Sequence, residues 1–232
     1  LDAYSHISLG LRDNSSSLFH APQIGFDHAP FDWVGGKMVF SSDIDESLKA
    51  KLILVETVLT YFYEKFEAQF ENSGIDLVIN TEEFFSRQAN CKLGLGSSAS
   101  VCVSLVAAFL AFLQQETAVD LNDVFTLAFR LHRDAQGGVG SGIDIAASTY
   151  GGYLEFSPDG NDGCLPSVDS MKEPDELCIL PIFTGESAGT VDLVNEVYLF
   201  RDEHKEHYDR LLENLRELSA AGVRSFREGD FQ

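Results

Sequence analysis

The chain of 232 residues carries 37 acidic against 16 basic side chains, for a formal net charge of −21, and 44% of its residues are hydrophobic. That hydrophobic content is enough for a substantial core, in one large domain or two small ones. The acidic surface excludes nucleic acids and anionic membranes as partners because like charges repel, and a polyphosphate could bind only where N–H groups, a metal ion and nearby basic side chains compensate locally.

Strand and helix patterns alternate along the N-terminal part of the chain. Ala3–Leu9 and Phe19–Phe26 are rich in β-forming residues and predict strands. Asp45–Phe70 predicts a long amphipathic helix, and Ile75–Asn80 alternates as a half-buried strand does. The apolar side chains that follow helical spacing along the predicted helix are Leu52, Val55, Val58, Leu59, Phe62 and Phe66.

A glycine-rich loop precedes the most apolar stretch of the chain. The segment Lys92-Leu-Gly-Leu-Gly-Ser-Ser-Ala-Ser100 leads into Val101–Leu113, an apolar run without proline or glycine that predicts a helix. Gly94 and Gly96 allow a sharp bend and a close approach of the backbone to a ligand. Unpaired N–H groups and the positive end of the helix dipole make such a place an anion site. The loop therefore predicts a nucleotide phosphate site, although the serine pair alone also fits plain helix capping.

A second glycine-rich run lies between two further predicted helices. Asp120–Leu131 predicts a helix with Asp120 as its cap, and Ile143–Tyr150 predicts a short helix. Between them, Gln136-Gly-Gly-Val-Gly-Ser-Gly142 permits a tight turn against another backbone or a ligand. Asp144 then falls in the first turn of the short helix, where the helix dipole stabilises an acid whether or not it has a further role.

Basic side chains near the two glycine-rich runs could offset the charge of a phosphate group. They are Lys92, Arg130, His132 and Arg133. A solvated surface position is the alternative for Lys92 and Arg133. For His132 and Asp134, which come just before the second run, we expect solvent exposure or a capping role.

The C-terminal part predicts a connector, two short strands and two helices. Ser157–Glu176 is rich in proline and glycine and predicts a surface loop at a candidate domain boundary. Gly152–Phe156 and Cys178–Phe183 predict strands on either side of it, and Val191–Phe200 and Glu203–Arg227 predict helices. The predicted fold class is therefore α+β.

The cysteines and the hydropathy pattern bear on location. The four cysteines, Cys91, Cys102, Cys164 and Cys178, have no metal-ligand spacing, and Cys102 falls in the apolar helix, which predicts core burial. We expect a reducing, cytoplasmic setting. No signal peptide is visible and no apolar run reaches the roughly 18 residues of a membrane span, so we expect no membrane contact.

Together, the two glycine-rich runs resemble the GHMP kinase superfamily, named for galactokinase, homoserine kinase, mevalonate kinase and phosphomevalonate kinase. Residues 94–99 match its Gly-Leu-Gly-Ser-Ser-Ala phosphate-loop signature. Residues 135–147 are similar to the Ala-Gln-Gly-x-x-Gly-Ser-Gly-x-Asp-x-Ala-Ala run of phosphomevalonate kinases, whereas mevalonate kinases share only the core at residues 141–144. Residues 184–194 are similar to the Thr-Gly-x-x-Ala-Ser-Thr-x-x-Leu-Val pattern of phosphomevalonate kinases, but Gly189 stands where that pattern has serine.

The resemblance implies a two-part α+β fold. Residues 1–156 would form the N-terminal ATP-binding domain, a mixed sheet with helices, and residues 157–232 would begin a C-terminal α+β domain that is incomplete here. The opening Pro-Gly-Lys strand and the closing Ser-Gly-Ala-Gly-Gly run of the superfamily are not found in this sequence. Gly138 stands where phosphomevalonate kinases often carry lysine.

The resemblance also implies roles for individual residues. Asp144 would be the catalytic acid–base group, and Ser98 would be both a catalytic residue and a ligand of Mg²⁺, so that we expect Asp144 and Ser98 to face one cavity. The residues expected to hold the phosphates of ATP are Gly94, Leu95, Gly96, Ser97, Ser98 and Ala99. Those expected to bind the acceptor are Gln136, Ser141, Gly142, Ser187 and Thr190.

The implied activity is the ATP-dependent phosphorylation of phosphomevalonate in isoprenoid precursor synthesis. A mevalonate or sugar kinase of the same superfamily, or a non-catalytic homologue that binds small ligands, remains an alternative. The expected partner is a small phosphorylated or hydroxylated molecule, and the chain could also form a homodimer.

Overall fold

A five-stranded sheet and the helices packed on it make up the N-terminal part of the computed structural model. The structure describes residues 3–41, 44–70, 73–86, 91–158, 164–174, 177–183, 185 and 190–230. The α+β class predicted from the sequence is confirmed, because strands and helices both contribute to the core.

The sheet is mixed in direction. β1 (His6–Leu11) pairs antiparallel with β5 (Ile75–Asn80), and β5 pairs parallel with β2 (Ser17–Ala21). β3 (Phe26–Val34) and β4 (Lys37–Phe40) extend the sheet beyond β2, each antiparallel to the strand before it. Alternate side chains of the two central strands point into the core, and they are Ser17, Phe19, Ala21, Ile75, Leu77 and Ile79.

The predicted long helix is confirmed as α1 (Glu46–Phe70). Asp45 precedes it, and the Asp45 carboxylate accepts a hydrogen bond from the Leu48 N–H at 2.9 Å, which satisfies one open donor of the first turn. Phe66 is only partly buried and has φ −134°, which kinks the helix near its end. The other predicted apolar positions are buried, namely Leu52, Val55, Val58, Leu59 and Phe62.

The apolar run after the first glycine-rich loop forms the central helix, α2 (Ser97–Gln114). It contacts the edge strand β1 and the helices α1, α3 (Leu121–Ala135) and α4 (Ile143–Tyr150). Its 18 residues have a mean hydropathy of 1.8, enough in length and composition to cross a membrane. The expectation that no segment reaches this length was wrong, because the helix begins before the apolar run and ends after it.

One cysteine of α2 behaves as the sequence predicts. Cys102 is fully buried, and its Sγ lies 3.6 Å from the carbonyl oxygen of Ala128 on α3. Burial, with a smaller effect of Asp144, raises the pKa of the Cys102 thiol to about 12. The thiol therefore stays protonated and acts as a core side chain.

The C-terminal part departs from the prediction in two places. β8 (Tyr153–Ser157) pairs antiparallel with β9 (Ser167–Met171), which lies inside the segment predicted to be only loop. Cys178–Phe183 is not a strand, and the side chains of Ile179 and Ile182 are 64% and 79% exposed. Pro181 interrupts this apolar run and cannot donate to a strand ladder, which explains the second difference.

Two long helices follow, close to the predicted bounds. They are α5 (Thr190–Glu203) and α6 (Lys205–Glu228). The C-terminal end of α6 packs against β8, where Phe226 contacts the ring of Tyr153 at 5.0 Å and the Arg227 guanidinium pairs with Glu155. The predicted domain division between residues 156 and 157 falls within β8, before its last residue.

Candidate active site

The first glycine-rich loop connects a short two-stranded ribbon to α2. The ribbon pairs β6 (Phe85–Ser86) with β7 (Cys91–Lys92). Gly94 and Gly96 have φ of +71° and +74°, in the left-handed region that favours glycine. Gly96 caps α2 without a side-chain hydrogen bond, the first turn holds no acidic residue, and a Cβ placed on Gly96 would have nothing within 4 Å. The helix N-terminus therefore has both open space and uncapped positive dipole, as an anion site requires.

The two serines lie inside the first turn of α2 rather than in the loop before it. Ser97 is buried, with 7% of its surface exposed, whereas Ser98 is exposed. The hydroxyl oxygen of Ser98 lies 3.5 Å from Nε2 of His132 on α3. Gly94 and Leu95 are exposed and Ala99 is buried, so the predicted phosphate-binding residues offer mainly backbone groups and the Ser98 hydroxyl.

His132 is buried, with 3% of its surface exposed, so the expectation that it is solvent-exposed or a cap was wrong. It lies seven residues after Phe125 and four after Ala128, both buried, and this helical spacing could have revealed it. Its Nε2 lies 3.4 Å from the side-chain nitrogen of Gln136 and 4.0 Å from a carboxylate oxygen of Asp144. Three predicted site residues, Ser98, Gln136 and Asp144, therefore meet at one nitrogen of His132, which the sequence analysis named only as a basic side chain near the glycine-rich runs.

Burial controls the charge of this imidazole. The loss of solvation lowers the pKa of His132 below its ordinary value of 6.5, and the nearby Asp144 carboxylate acts in the opposite, weaker sense. The ring is therefore neutral at pH 7, and Nε2 can accept a hydrogen bond from the Gln136 amide when the proton is on Nδ1.

The second glycine-rich run turns tightly between α3 and α4. Gly142 has φ +78°, and a Cβ placed on it would lie 2.4 Å from the ring of Phe129. A Cβ on Gly140 would lie 2.8 Å from the side-chain oxygen of Gln136. Packing against the buried Phe129 ring therefore requires glycine at position 142, whereas at position 140 the left-handed φ of +109° favours glycine and the Gln136 side chain could move aside. The Ser141 hydroxyl accepts a 3.4 Å hydrogen bond from the Ile143 N–H at the start of α4.

Asp144 lies in the first turn of α4, as predicted. One carboxylate oxygen accepts a hydrogen bond from the Ile145 N–H at 3.0 Å, and the other is the oxygen near His132. The side chain is 44% exposed, so a bound molecule could reach it.

A cavity of about 500 Å³ opens beside these residues. It lies between α1, the 3-10 turn Pro22–Ile24, the start of α2 and the end of α3. Asp144, although described, does not line it, so the structure does not bear out the expectation that Ser98 and Asp144 face one cavity. The two side chains are instead linked through His132. The polar and basic residues of the cavity wall are Gln23, Lys51, Thr81, Lys92, Ser97, Ser98, His132 and Gln136.

The basic residues beside the cavity differ in part from those that the sequence predicted. Lys51 lines it but was not singled out, although it precedes the buried Val55 by one helical turn. Arg133 instead reaches the second turn, where its guanidinium lies 3.5 Å from the Gly140 carbonyl oxygen and 5.9 Å from the centre of the Phe129 ring. Of the predicted acceptor ligands, Ser187 lies outside the described residues, and only the backbone position of Thr190, at the start of α5, is described.

The sequence of this chain is similar to those of known proteins. Residues 54–152 match the family described as GHMP kinases N terminal domain. The chain is 30% identical over 157 residues to a phosphomevalonate kinase of Streptomyces sp. strain CL190, covering 60% of this chain and 41% of the relative. It is 32% identical over 148 residues to a phosphomevalonate kinase of Saccharolobus solfataricus, covering 62% of this chain and 42% of the relative. The matches therefore span less than half the length of these relatives.

The fold also matches a solved structure. The crystal structure of L. major mevalonate kinase in complex with R-mevalonate has a TM-score of 0.61 with this chain and 16% sequence identity. The match covers 99% of this chain and 62% of that structure. At this identity the likeness concerns the fold alone, and it includes the C-terminal helices as well as the sheet and α2.

Proposed function

We propose that this chain, which matches the family of GHMP kinases N terminal domains over residues 54–152, is the ATP-binding part of a small-molecule kinase. One observation carries the proposal: two helix N-termini, each preceded by a left-handed glycine, converge on His132. Ser98 at the start of α2 and Asp144 at the start of α4 both lie within 4.0 Å of its Nε2. Phosphoryl transfer depends on such positioning of donors and carboxylates more than on covalent chemistry.

The residues at the start of α2 fit a nucleotide phosphate. The N–H groups of the first turn have no side-chain cap, and the space above Gly96 is free of protein atoms within 4 Å. Lys51 and Lys92 in the cavity wall supply positive charge that the molecule as a whole, at −21, does not. ATP, when bound, supplies the phosphoryl group, and these residues hold and orient it.

Mg²⁺ is the expected companion of the nucleotide, and the oxygen donors at the site suit it. Mg²⁺ prefers hard oxygen ligands and is usually held by one or two carboxylates or hydroxyls together with substrate phosphates. The exposed Ser98 hydroxyl and the half-exposed Asp144 carboxylate are such groups. His132, neutral and buried, would keep Ser98 and Gln136 in position rather than bind the ion.

The role of Asp144 depends on the acceptor. A hydroxyl acceptor loses a proton during attack, so a carboxylate beside it acts as a general base. A phosphomonoester has a second pKa near about 6 and is mostly dianionic at neutral pH, so it needs no base. Asp144 would then orient the acceptor or help hold the metal ion.

Phosphomevalonate is the acceptor we propose. Two features support it: the similarity of residues 135–147 to the phosphomevalonate kinase run, and the phosphomevalonate kinases among the relatives. Gln136 carries a polar side chain at the cavity wall, next to His132. A mevalonate or sugar kinase is the second candidate, because residues 141–144 are common to mevalonate kinases as well.

A cytoplasmic location is proposed from the four free cysteines, two of which, Cys164 and Cys178, are exposed.

The test is a coupled assay of ADP release by the full-length protein with ATP, Mg²⁺ and, in turn, phosphomevalonate, mevalonate and galactose. We expect phosphomevalonate to be turned over fastest. A preference for mevalonate or galactose would refute the acceptor but not the kinase, and no ADP release with any of the three would favour a non-catalytic ligand-binding protein.

Asp144→Asn tests the site. If Asp144 acts as a base or metal ligand, kcat should fall by about 10²-fold or more while the Kd for ATP changes little. Asp123→Asn is the matched control, since Asp123 is an exposed acid in the first turn of α3. Equal activity of both variants would remove Asp144 from the mechanism.

A further inference from the structure

The hairpin of β2 and β3 contains a bulge that gathers three polar side chains. The pairing register shifts between Phe19 and Ala21, so the single residue His20 on β2 lies opposite two residues of β3, Asp27 and His28. His28 has φ +48°, a left-handed conformation that is uncommon for a residue with a Cβ. The irregularity therefore brings an acid and a second histidine beside the first.

The donor atoms of these side chains are close enough to share one ion. A carboxylate oxygen of Asp27 lies 3.1 Å from Nδ1 of His20 and 2.7 Å from Nδ1 of His28. One ligand atom from each of the three residues lies within 4.8 Å of the others, and the two imidazole rings are 4.3 Å apart between centroids. A tetrahedral zinc ion with bonds of about 2.0–2.1 Å holds its ligand atoms about 3.3 Å apart, so small side-chain rotations suffice.

Charge and access favour a cation at this place. Asp27 places a carboxylate between the two imidazoles. The side chains of Asp27 and His28 are 82% and 64% exposed and that of His20 is 23% exposed, which leaves an entry path from solvent. The net charge of −21 adds a general attraction for cations.

We propose that His20, Asp27 and His28 bind one zinc ion, or a similar divalent transition ion, with water completing the coordination. Two imidazoles and a carboxylate form a ligand set that suits zinc, whereas Mg²⁺ prefers oxygen ligands alone. The ion would join β2 to β3 directly before the Pro22–Ile24 turn, whose Gln23 and Ile24 line the cavity. The site is separate from the predicted Mg²⁺ ligand Ser98 and does not rest on the proposed kinase activity.

The test uses untagged protein stripped with a chelator and titrated with ZnCl₂ in a calorimeter. We expect one zinc ion per chain, a higher midpoint of thermal unfolding with zinc than without, and no competition from millimolar MgCl₂. His20→Ala and His28→Ala should each weaken zinc binding by about tenfold or more, since each removes one of three protein ligands. Asp27→Asn, which keeps the shape of the side chain but not its charge, should weaken it too.

His6→Ala is the matched control. His6 is also an exposed histidine next to a carboxylate, with Nε2 at 3.2 Å from Glu83, but it lies on β1 outside the bulge. Zinc affinity should be unchanged in this variant. The proposal is overturned if the folded His20→Ala, His28→Ala double variant binds zinc as tightly as the unaltered protein. It is also overturned if replacement of His204 and His207 at the α5–α6 junction, rather than of the hairpin histidines, abolishes binding.

Discussion

Among single residues, His132 is central to the candidate active site. It is buried, and its Nε2 lies close to Ser98 at the start of α2 and to Asp144 at the start of α4. Burial lowers its pKa, so the folded protein binds a proton on this ring less readily than the unfolded chain does. The stability contributed by the neutral ring is complete above the unfolded value of about 6.5 and is lost as pH falls from there through the lowered, folded pKa.

We therefore expect His132→Gln, which cannot titrate, to flatten the pH dependence of stability. The free energy of unfolding, measured by urea denaturation at several pH values between about 5 and 7, should fall less on acidification in this variant than in the unaltered protein. His6→Gln serves as the control, since His6 is exposed. An unchanged slope in His132→Gln would mean that the imidazole is protonated, or solvated, in the folded state.

The turn before α4 makes a second prediction at the residue scale. Gly142→Ala places a methyl group on the ring of Phe129 and keeps a left-handed φ, so we expect a loss of about 2–5 kcal/mol in the free energy of unfolding. Gly137→Ala is the matched control: its φ is +69°, but nothing lies within 4 Å of the added methyl, so the cost should be about 1–2 kcal/mol. Equal losses in the two variants would show that the contact with Phe129 relaxes freely.

At the scale of elements, the strongly periodic segments were predictable and the irregular ones were not. α1, β5 and α4 have regular apolar spacing or simple boundaries, and the structure confirms them. The predicted strand Phe19–Phe26 runs across the Pro22–Ile24 turn and ends where β3 begins, so β3 was not predicted, because the bulge at residues 27 and 28 interrupts the alternation of apolar and polar side chains. A pattern with period two cannot reveal a strand whose register shifts within it.

The same limit applies to the site. The glycine runs predicted where the backbone would turn, since left-handed φ values require glycine there. They did not reveal that α3 would bring His132 between the two runs, because that contact depends on how α2, α3 and α4 pack. Tertiary packing, rather than local sequence, also determines which side chains of α1 line the cavity, and Lys51 is one of them.

The central position of α2 leads to a prediction about stability. Leu105 on α2 is fully buried, so Leu105→Ala should lower the free energy of unfolding by about 2–5 kcal/mol through lost burial and a residual cavity. Leu121→Ala is the same substitution at a position that is 51% exposed at the start of α3, and it should lower the free energy of unfolding by only about 0.5 kcal/mol. Urea unfolding of both variants measures the difference, and similar values would contradict the assignment of α2 as the core helix.

At the scale of the whole molecule, burial is uneven along the chain. The buried hydrophobic residues of the described part run from Phe19 to Ala146, a span that contains most of the matched family segment, residues 54–152. α6 has no buried residue, and Leu215 and Leu218 on it are 62% and 68% exposed. The structural basis of the proposed activity therefore lies in the N-terminal sheet and its helices.

The net charge of −21 makes a prediction for the molecule as a whole. Excess negative charge destabilises a folded state by self-repulsion, and salt screens this repulsion, with a Debye length of about 10 Å at 0.1 M. We expect the midpoint of thermal unfolding to rise by several degrees between low salt and about 0.3 M NaCl. Sucrose at equal osmolality separates screening from solute exclusion, because it carries no charge. A midpoint that rises with sucrose as much as with NaCl, or that falls with NaCl, would show that local ion pairs outweigh the net repulsion.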